Sequence, residues 1–474
     1  MKRLFNIVLW PFLWIAIPNL LAQEANVAMD SVLTFQEYLG YVKAYHPLVK
    51  QANLKLTEGE ATLLRARGGF DPKIEVDFNR KKFKGTEYYD ELNAAFKIPT
   101  WYGVEFKADF EENSGEFLDP SLTVPTQGLY SAGVSFSLAQ GLLINDRMAT
   151  LKQAKYFVEQ TKAERDLLVN QVVFEASLAY FEWIQAHNEQ RIYKNFLDNA
   201  LMRFKGVKRS VEEGDKAAID STEAHITFQT RQLNLEVANL KRRKAALKVS
   251  NYLWLEDVPL VLEENTIPQL PSEAVLETSL FLDGITISPL TITSHPKLRS
   301  LNAKIDGLEV ERFLKRNKLL PKIDLQYNFL TTENDQLSSF NTANYKAALN
   351  LSFPVFLRKE RGALKLANLK LQDATFDLSA TSLSLQNKIL AVQAEIFSLE
   401  KQNSLVSQIV TDYERLVAAE ERKFQLGESS LFLVNSREQK LIEASLREIE
   451  LQVKFLDANA KLYNTLGVGI GEVE

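Results

Sequence analysis

Residues 169–211 read VNQVVFEASLAYFEWIQAHNEQRIYKNFLDNALMRFKGVKRSV. Val169, Val172, Ala176, Ala179, Trp183, Ala186, Tyr193, Leu197, Ala200, Phe204, Val207 and Val211 recur at alternating steps of three and four, and Gln190 is the polar break in the series. Sustained over several heptads, that spacing places one apolar stripe along one side of a long helix and argues for coiled-coil packing. A second series runs through Ile389, Val392, Ile396, Leu399, Val406, Val410, Tyr413, Val417 and Phe424, with Asn403 and Glu420 as polar members. The two polar breaks are separated by 403 − 190 = 213 positions, and Gly214 and Gly427, which follow the two series, by 427 − 214 = 213. The two helices therefore share phase as well as length.

The same duplication extends upstream. His46-Pro47-Leu48 recurs as His295-Pro296-Lys297-Leu298, and Asp71-Pro72-Lys73-Ile74-Glu75 recurs as Leu320-Pro321-Lys322-Ile323-Asp324, both at an offset of 296 − 47 = 249. The change of offset, 249 − 213 = 36, implies about that many extra residues in the first half between residues 73 and 214. Pro47 and Pro296 each open a helix, where the missing N–H costs nothing. These helices are expected over Pro47 to about Arg67, stopped by Gly68-Gly69, and over Pro296 to about Lys318. His46 and His295 are read as structural positions preceding a helix proline.

Period-two alternation follows each opening helix. Ile74, Val76 and Phe78 oppose Glu75, Asp77 and Asn79, and Val134, Phe136 and Leu138 alternate with serines. In the second half, Ile323, Leu325, Tyr327 and Phe329 alternate with Asp324, Gln326 and Asn328, before Leu349, Leu351 and Phe353 repeat the pattern. Such segments suit barrel strands around a wet lumen, and equally an amphipathic strand of a soluble sheet. Within the extra 36 residues or so, Ala94, Phe96 and Ile98, then Val104, Phe106, Ala108 and Phe110, suggest an added hairpin. It is expected to extend the strands beyond the membrane rather than widen a barrel.

The helix from about Arg147 to Glu212 extends roughly 100 Å at 1.5 Å per residue, and the next covers about Lys216 to Leu253. Each half becomes an elongated helical hairpin that buries little alone, so self-association is expected.

Lys2 and Arg3 precede an apolar run and then Leu20-Leu21-Ala22, a pattern that reads as a signal peptide cut after Ala22. No later run reaches about 18 apolar residues, the length a spanning helix needs. The chain has no cysteine, so disulfides and thiolate metal sites are excluded. A net charge of −5 offers no electrostatic reason to expect nucleic acid as a partner. His46, His187, His225 and His295 lack metal-ligand spacing, and neither a phosphate loop nor a nucleophile elbow appears. An enzyme is disfavoured, and no catalytic residue, metal or cofactor is expected.

Phe353-Pro354-Val355-Phe356 followed by Gly362 resembles the strand-to-helix "PLF…G" box of the TolC family of outer-membrane efflux channels, and the duplicated plan resembles that family from about Leu33 to Val468. The resemblance implies an α+β fold: a long antiparallel coiled-coil helical tunnel in the periplasm and a transmembrane β-barrel shared by a trimer. Each chain holds two structural repeats and gives four strands to the barrel. The divisions are a signal peptide (1–22), a first repeat with an insertion (23–254), an inter-repeat segment at the tunnel's middle (255–293) and a second repeat (294–474). The implied partners are two further copies of the chain, outer-membrane lipids, a periplasmic adaptor (membrane fusion) protein and an inner-membrane pump of the RND or ABC type. The implied role is a passive exit duct in a tripartite efflux or secretion system. Gly214 and Gly427 map to the adaptor-docking turns. Phe424 maps to a gating aromatic, here taken as a steric plug. The family's second-half constriction acids are replaced by Leu433 and Ser436, so the charged constriction is expected from Asp220 and Glu223 of the first half. In the first half Ala139-Gln140-Gly141 replaces the proline box, and a differently bent junction is expected. The rival reading is a coiled-coil surface protein or adhesin without transport activity, which explains the seams but not two amphipathic hairpins at matching places.

Overall fold

The structure, a computed structural model, describes residues 32–283, 293–333 and 341–468. The expected signal peptide, and residues 284–292 of the inter-repeat segment, lie outside the described residues. In chain order the elements are β1 (Val32–Leu33), α1 (Phe35–Tyr45), α2 (Pro47–Arg67), β2 (Lys73–Phe83), β3 (Thr86–Pro99), β4 (Val104–Ser114), β5 (Leu129–Ser137), α3 (Asp146–Glu212) and α4 (Ala218–Ser250). There follow β6 (Trp254–Leu255), β7 (Val258–Pro259), β8 (Ile267–Pro268), α5 (Glu273–Ser279), α6 (Pro296–Asn317), β9 (Lys322–Thr331), β10 (Tyr345–Ser352), α7 (Arg358–Gln425) and α8 (Leu431–Leu466).

Helix α3, with 67 residues, is the spine, packed along its length by α2, α4, α6 and α8. Its heptad stripe is its buried side: Val169, Val172, Ala176, Ala179, Trp183 and Ala186 are all shielded from solvent. Helix α7, with 68 residues, buries Ile389 and Val392 and packs Leu399, Val406, Val410 and Val417 against α8. The small residues of α3 let α1, α5 and the short strands approach its middle. There Phe35, Tyr38, Tyr180 and Phe181 form an aromatic cluster with ring centroids 5.0–5.3 Å apart in the closest pairs. Tyr180 donates its hydroxyl to the Leu33 carbonyl at 2.7 Å and accepts from the Gln269 N–H at 3.1 Å, which ties both the start of the chain and the inter-repeat segment to α3. Strands β1 and β8 pair in parallel beside this contact.

The caps explain where the helices begin. Thr34 and Glu37 form a reciprocal capping box on α1. His46 Nδ1 accepts the Leu48 N–H at 3.3 Å, and His295 Nδ1 accepts the Lys297 N–H at 3.0 Å, so each histidine is the N-cap of a proline-opened helix. The two strand-to-helix junctions differ. In the first half Gly141 takes a positive φ of 96° and Asn145 caps α3 through the Met148 N–H at 2.8 Å, whereas in the second half Leu357 sits at φ 49° with no side-chain cap.

The sheet corrects one expectation. It has six antiparallel strands in the order β10-β9-β5-β4-β3-β2, so the extra hairpin lies side by side with the others rather than beyond them. Strand β3 pairs with β2 from Lys73↔Lys97 to Phe83↔Thr86, and β4 pairs with β5 from Val104↔Phe136 to Glu111↔Leu129. Register alone carries the apolar residues to a common face: Ile74, Phe96, Ala108, Ala132, Phe329 and Tyr345 form one row across all six strands. The other face holds Asp77, Asn93, Glu111 and Lys107 beside Ser131, Ser135, Asp324 and Gln326. Among the described residues no helix is long and apolar enough to cross a membrane, while strands of 8–14 residues match the apolar height a barrel needs.

Burial lowers the pKa of both capping histidines, and the backbone carbonyls of Asn251 and Thr465 oppose that shift only in part. The unfolded chain therefore takes up protons first, so stability is full above about pH 6.5 and falls as pH drops towards the folded-state values. Replacing His46 and His295 by Asn, a good cap that does not titrate, should flatten this acid-side loss. Thermal melts at pH 7.5 and 5 check it: the wild type should lose more stability between the two pH values than the double variant.

Candidate functional site

The ends of the helical hairpins away from the sheet carry the chemistry of interest. Both turns are Schellman motifs. The Gly214 N–H donates to Val211 and the Asp215 N–H to Ser210, at 3.1 and 2.9 Å, and Gly427 and Glu428 repeat the pair on Phe424 and Lys423 at 3.1 and 2.9 Å. Such a turn needs a left-handed residue after the cap, and Gly214 and Gly427 supply it at φ 84° and 78°. A side chain built on either glycine meets nothing within 4 Å, so both turns face open space. Ile219, Leu426 and Phe432 stand exposed around them.

Phe424 lies inside this tip rather than apart from it. Its half-buried ring packs with Val207, Ala224 and Leu431 and with Phe204 and Val211. The Lys216 ammonium sits 4.0 Å from its centroid, so the first turn clasps the aromatic of the second. Asp220 lies in the first turn of α4, half-buried, and Glu223 accepts a hydrogen bond from Asn435 of α8 at 3.3 Å. The structure thus brings Phe424 and Glu223 into contact with the opposite hairpin, while Asp220 has neither an ion pair nor a side-chain hydrogen bond among the described residues. Leu433 and Ser436 open α8 behind the second turn, without charge.

Just above the turns lies an ionic cluster not identified from the sequence. Glu438 of α8 is 1% exposed and accepts from Arg203 of α3 at 2.7 Å and from Arg231 of α4 at 3.3 Å. Arg203 also reaches Glu421 of α7 at 2.8 Å and the Asn435 amide oxygen at 3.2 Å, and Arg231 donates to Gln439 at 2.7 Å. All four tip helices therefore meet at one buried charge group. A signal for it exists in the periodicity: Arg231 occupies the seven-residue series Ala224, Arg231, Ala238, Ala245 of buried positions, and Glu438 falls between Val434 and Leu441 on the buried side of α8. Charges at seam positions are rare unless paired.

This combination of two long helical hairpins, a one-face-apolar antiparallel sheet and glycine-turned tips is the fold of solved outer-membrane channels. The family described as outer membrane efflux protein matches residues 288–468. The pyoverdine export outer membrane protein OpmQ of Pseudomonas aeruginosa is 20% identical over 344 residues, 72% of this chain and 70% of that protein. Among solved structures, the Campylobacter jejuni CmeC outer membrane channel superposes with a TM-score of 0.64 at 13% identity, covering 91% of this chain and 85% of that one. CusC gives 0.66 at 13% identity over 92% of each chain, and VceC of Vibrio cholerae gives 0.61 at 13% identity over 91% of this chain and 96% of that one. The second half of the chain thus matches the outer membrane efflux protein family, and nearly the whole chain shares the fold of these outer-membrane proteins. The CmeC and CusC structures are described as an outer membrane channel and as a protein that forms a transmembrane channel.

Truncating one member of a buried ion group strands its partners' charges at a cost of about 3–5 kcal/mol. Glu438→Ala should therefore lower the thermal midpoint sharply and make the tips protease-sensitive. The triple variant Arg203→Met, Arg231→Met, Glu438→Leu should recover most of the loss. Melting curves and limited proteolysis of the purified protein measure both.

Proposed function

We propose that three copies of this chain close into one duct: their sheets form a transmembrane barrel, and their helices form a periplasmic tunnel through which cargo leaves passively. The observation that carries this reading is a second set of apolar stripes. On α4, Ile219, Ile226, Leu233, Leu240 and Leu247 recur at steps of seven and all are more than half exposed. On α7, Leu369, Phe376, Leu383, Leu390 and Phe397 do the same. Within the chain α3, α6 and α8 lie between these two helices, so α4 and α7 form opposite margins of the helical layer. Their stripes are each the shape of a coiled-coil seam and have no partner within the protomer. The sheet repeats the arrangement, since β2 and β10 are its unpaired margins and are exposed along their whole length. A neighbour on each side covers helices and strands together.

In this reading the division into two repeats (23–254 and 294–474) with a middle segment (255–293) supplies two hairpins per copy to the tunnel. The turns at Gly214 and Gly427 dock a periplasmic adaptor, and an inner-membrane pump, of the RND or ABC type, supplies the energy. The chain performs no reaction of its own. Asp220 and Glu223 line the constriction at the tip, and Phe424 braces it, held by Lys216. The cargo is a small molecule or a secreted protein selected upstream, and the pyoverdine named for OpmQ is one candidate class.

Three measurements test these assignments. A charge in either stripe, Leu240→Glu or Phe397→Glu, should convert a detergent-stable trimer into monomers on size-exclusion chromatography. Failure to find a trimer in the wild type sinks the duct and leaves a surface stalk. Gly214→Asn with Gly427→Asn keeps a residue that tolerates the left-handed conformation while adding bulk at the turns; the trimer should persist and adaptor co-purification should drop. Asp220→Ala should raise closed-state leak and weaken cation preference in planar bilayers; unchanged conductance places the gate elsewhere.

A further inference from the structure

The inserted strands have a consequence for the width of the exit. We propose that β3 and β4 are full wall strands of the membrane barrel, so that each protomer contributes six strands and a three-fold closure makes 3 × 6 = 18. This rests on the trimeric duct proposed above and replaces the four-strand contribution expected from the family resemblance. Four strands per chain close at 3 × 4 = 12. Barrel diameter grows roughly linearly with strand number, so the exit is about 1.5-fold wider and its cross-section about 2.3-fold larger.

Three observations place the insertion in the wall. Hydrogen bonding is continuous on both sides of both strands, from β2 through β3 and β4 to β5, so neither strand is free to fold away as a separate hairpin. The face that continues the apolar side of β2 and β5 is itself apolar on both inserted strands: Leu92, Ala94, Phe96 and Ile98 on β3, then Val104, Phe106, Ala108 and Phe110 on β4. A hairpin standing in water above the membrane has no use for such a band. The β3–β4 turn is also fastened at the sheet's junction with the helices. Trp101 stacks on Phe70 at 5.5 Å and packs on Ile144, Met148 and Leu314, its carbonyl accepts from Asn145 Nδ2 at 3.2 Å, and the Gly103 carbonyl accepts from the Ser137 N–H at 3.1 Å. Gly103 is needed there, since a side chain on it would meet the Gly141 carbonyl at 2.8 Å.

Closure needs compatible margins. The strands alternate in direction across the sheet, so β2 and β10 run oppositely and a neighbour's β10 meets β2 in the antiparallel sense. Six strands per copy preserve the even count that this alternation requires. The insertion also changes the lumen's character. Its polar face carries Glu91, Lys97, Glu105, Lys107, Asp109 and Glu111, four acids against two bases. Strands β5 and β9 offer mainly serine, Gln326, Asn328 and Asp324 on that face. A wide, water-filled and net acidic exit suits hydrated cargo of larger cross-section than a twelve-stranded barrel passes.

The absence of cysteine makes the test direct. A single Gln326→Cys places one spin label per protomer on a strand common to both closures. With strands about 4.8 Å apart and tilted about 40°, eighteen strands set the three labels about 30 Å apart and twelve set them about 20 Å apart. Pulsed dipolar spectroscopy on the trimer should read the longer distance. A variant lacking residues 86–115, in which β2 can pair with β5, should read the shorter one and exclude polymers about 1.5-fold smaller in diameter when they are added from the barrel side. Separations near 20 Å in the full chain overturn the widening and leave the duct intact, and the full chain decides this even if the deletion fails to fold. A protein with no trimer overturns the duct itself.

Discussion

The seven-residue repeat on helices of about 100 Å is the constraint from which the rest follows. A helix that long cannot bury an apolar stripe against itself, and each main helix here carries more than one seam's worth. Helix α3 is satisfied within the chain, because α2, α4, α6 and α8 surround it. Helices α4 and α7 are satisfied on one side only. Ala224, Ala238 and Ala245 turn inward, while Ile226, Leu233, Leu240 and Leu247 turn out. On α4, small residues within the chain and large ones on its margin allow close helix packing inside and leave the larger apolar surface for a neighbour. The geometry of assembly is thus written into residue size as well as periodicity.

Polar groups decide where this regular material stops and how its parts align. Histidine caps start α2 and α6, and Schellman glycines end α3 and α7. Between them the Arg203–Glu438–Arg231 group joins four helices that an apolar seam alone leaves free to slide by a heptad. Each charge in it has a partner, so sliding α8 along α3 by one repeat separates buried ions at a large cost. Registry is thereby held near the tips, where docking and closure are proposed to occur.

The sheet shows how the same economy works with a period of two. Lys97 pairs with Glu75 within the β2–β3 hairpin, but Lys346 pairs with Glu111 across strands that are distant in sequence, and Ser137 donates to Asp324 at 2.9 Å across the boundary between the halves. These contacts depend on neighbours in space. The alternation of Phe106 and Lys107 says which face each occupies, but not which strand lies beside it. Alternation therefore leaves the place of the added hairpin open, and pairing sets it between β2 and β5 rather than beyond the membrane.

The sequence by itself determined the duplicated plan, the ranges of the long helices, the proline-opened helix starts and the glycine turns, because each rests on local dihedral preferences or on periodicity along one chain segment. It also brought Gly214, Gly427, Phe424, Asp220 and Glu223 to attention, through the shared offset and the family resemblance. Tertiary structure alone decided strand order, the clasp of Lys216 on Phe424 and the four-helix ion group. Those depend on pairs separated by tens to hundreds of residues, whose energies are set by burial and by the partner opposite. The second apolar stripes on α4 and α7 lie between these cases: their spacing was present in the sequence, but only packing shows which of two stripes a protomer uses and which it leaves for a neighbour.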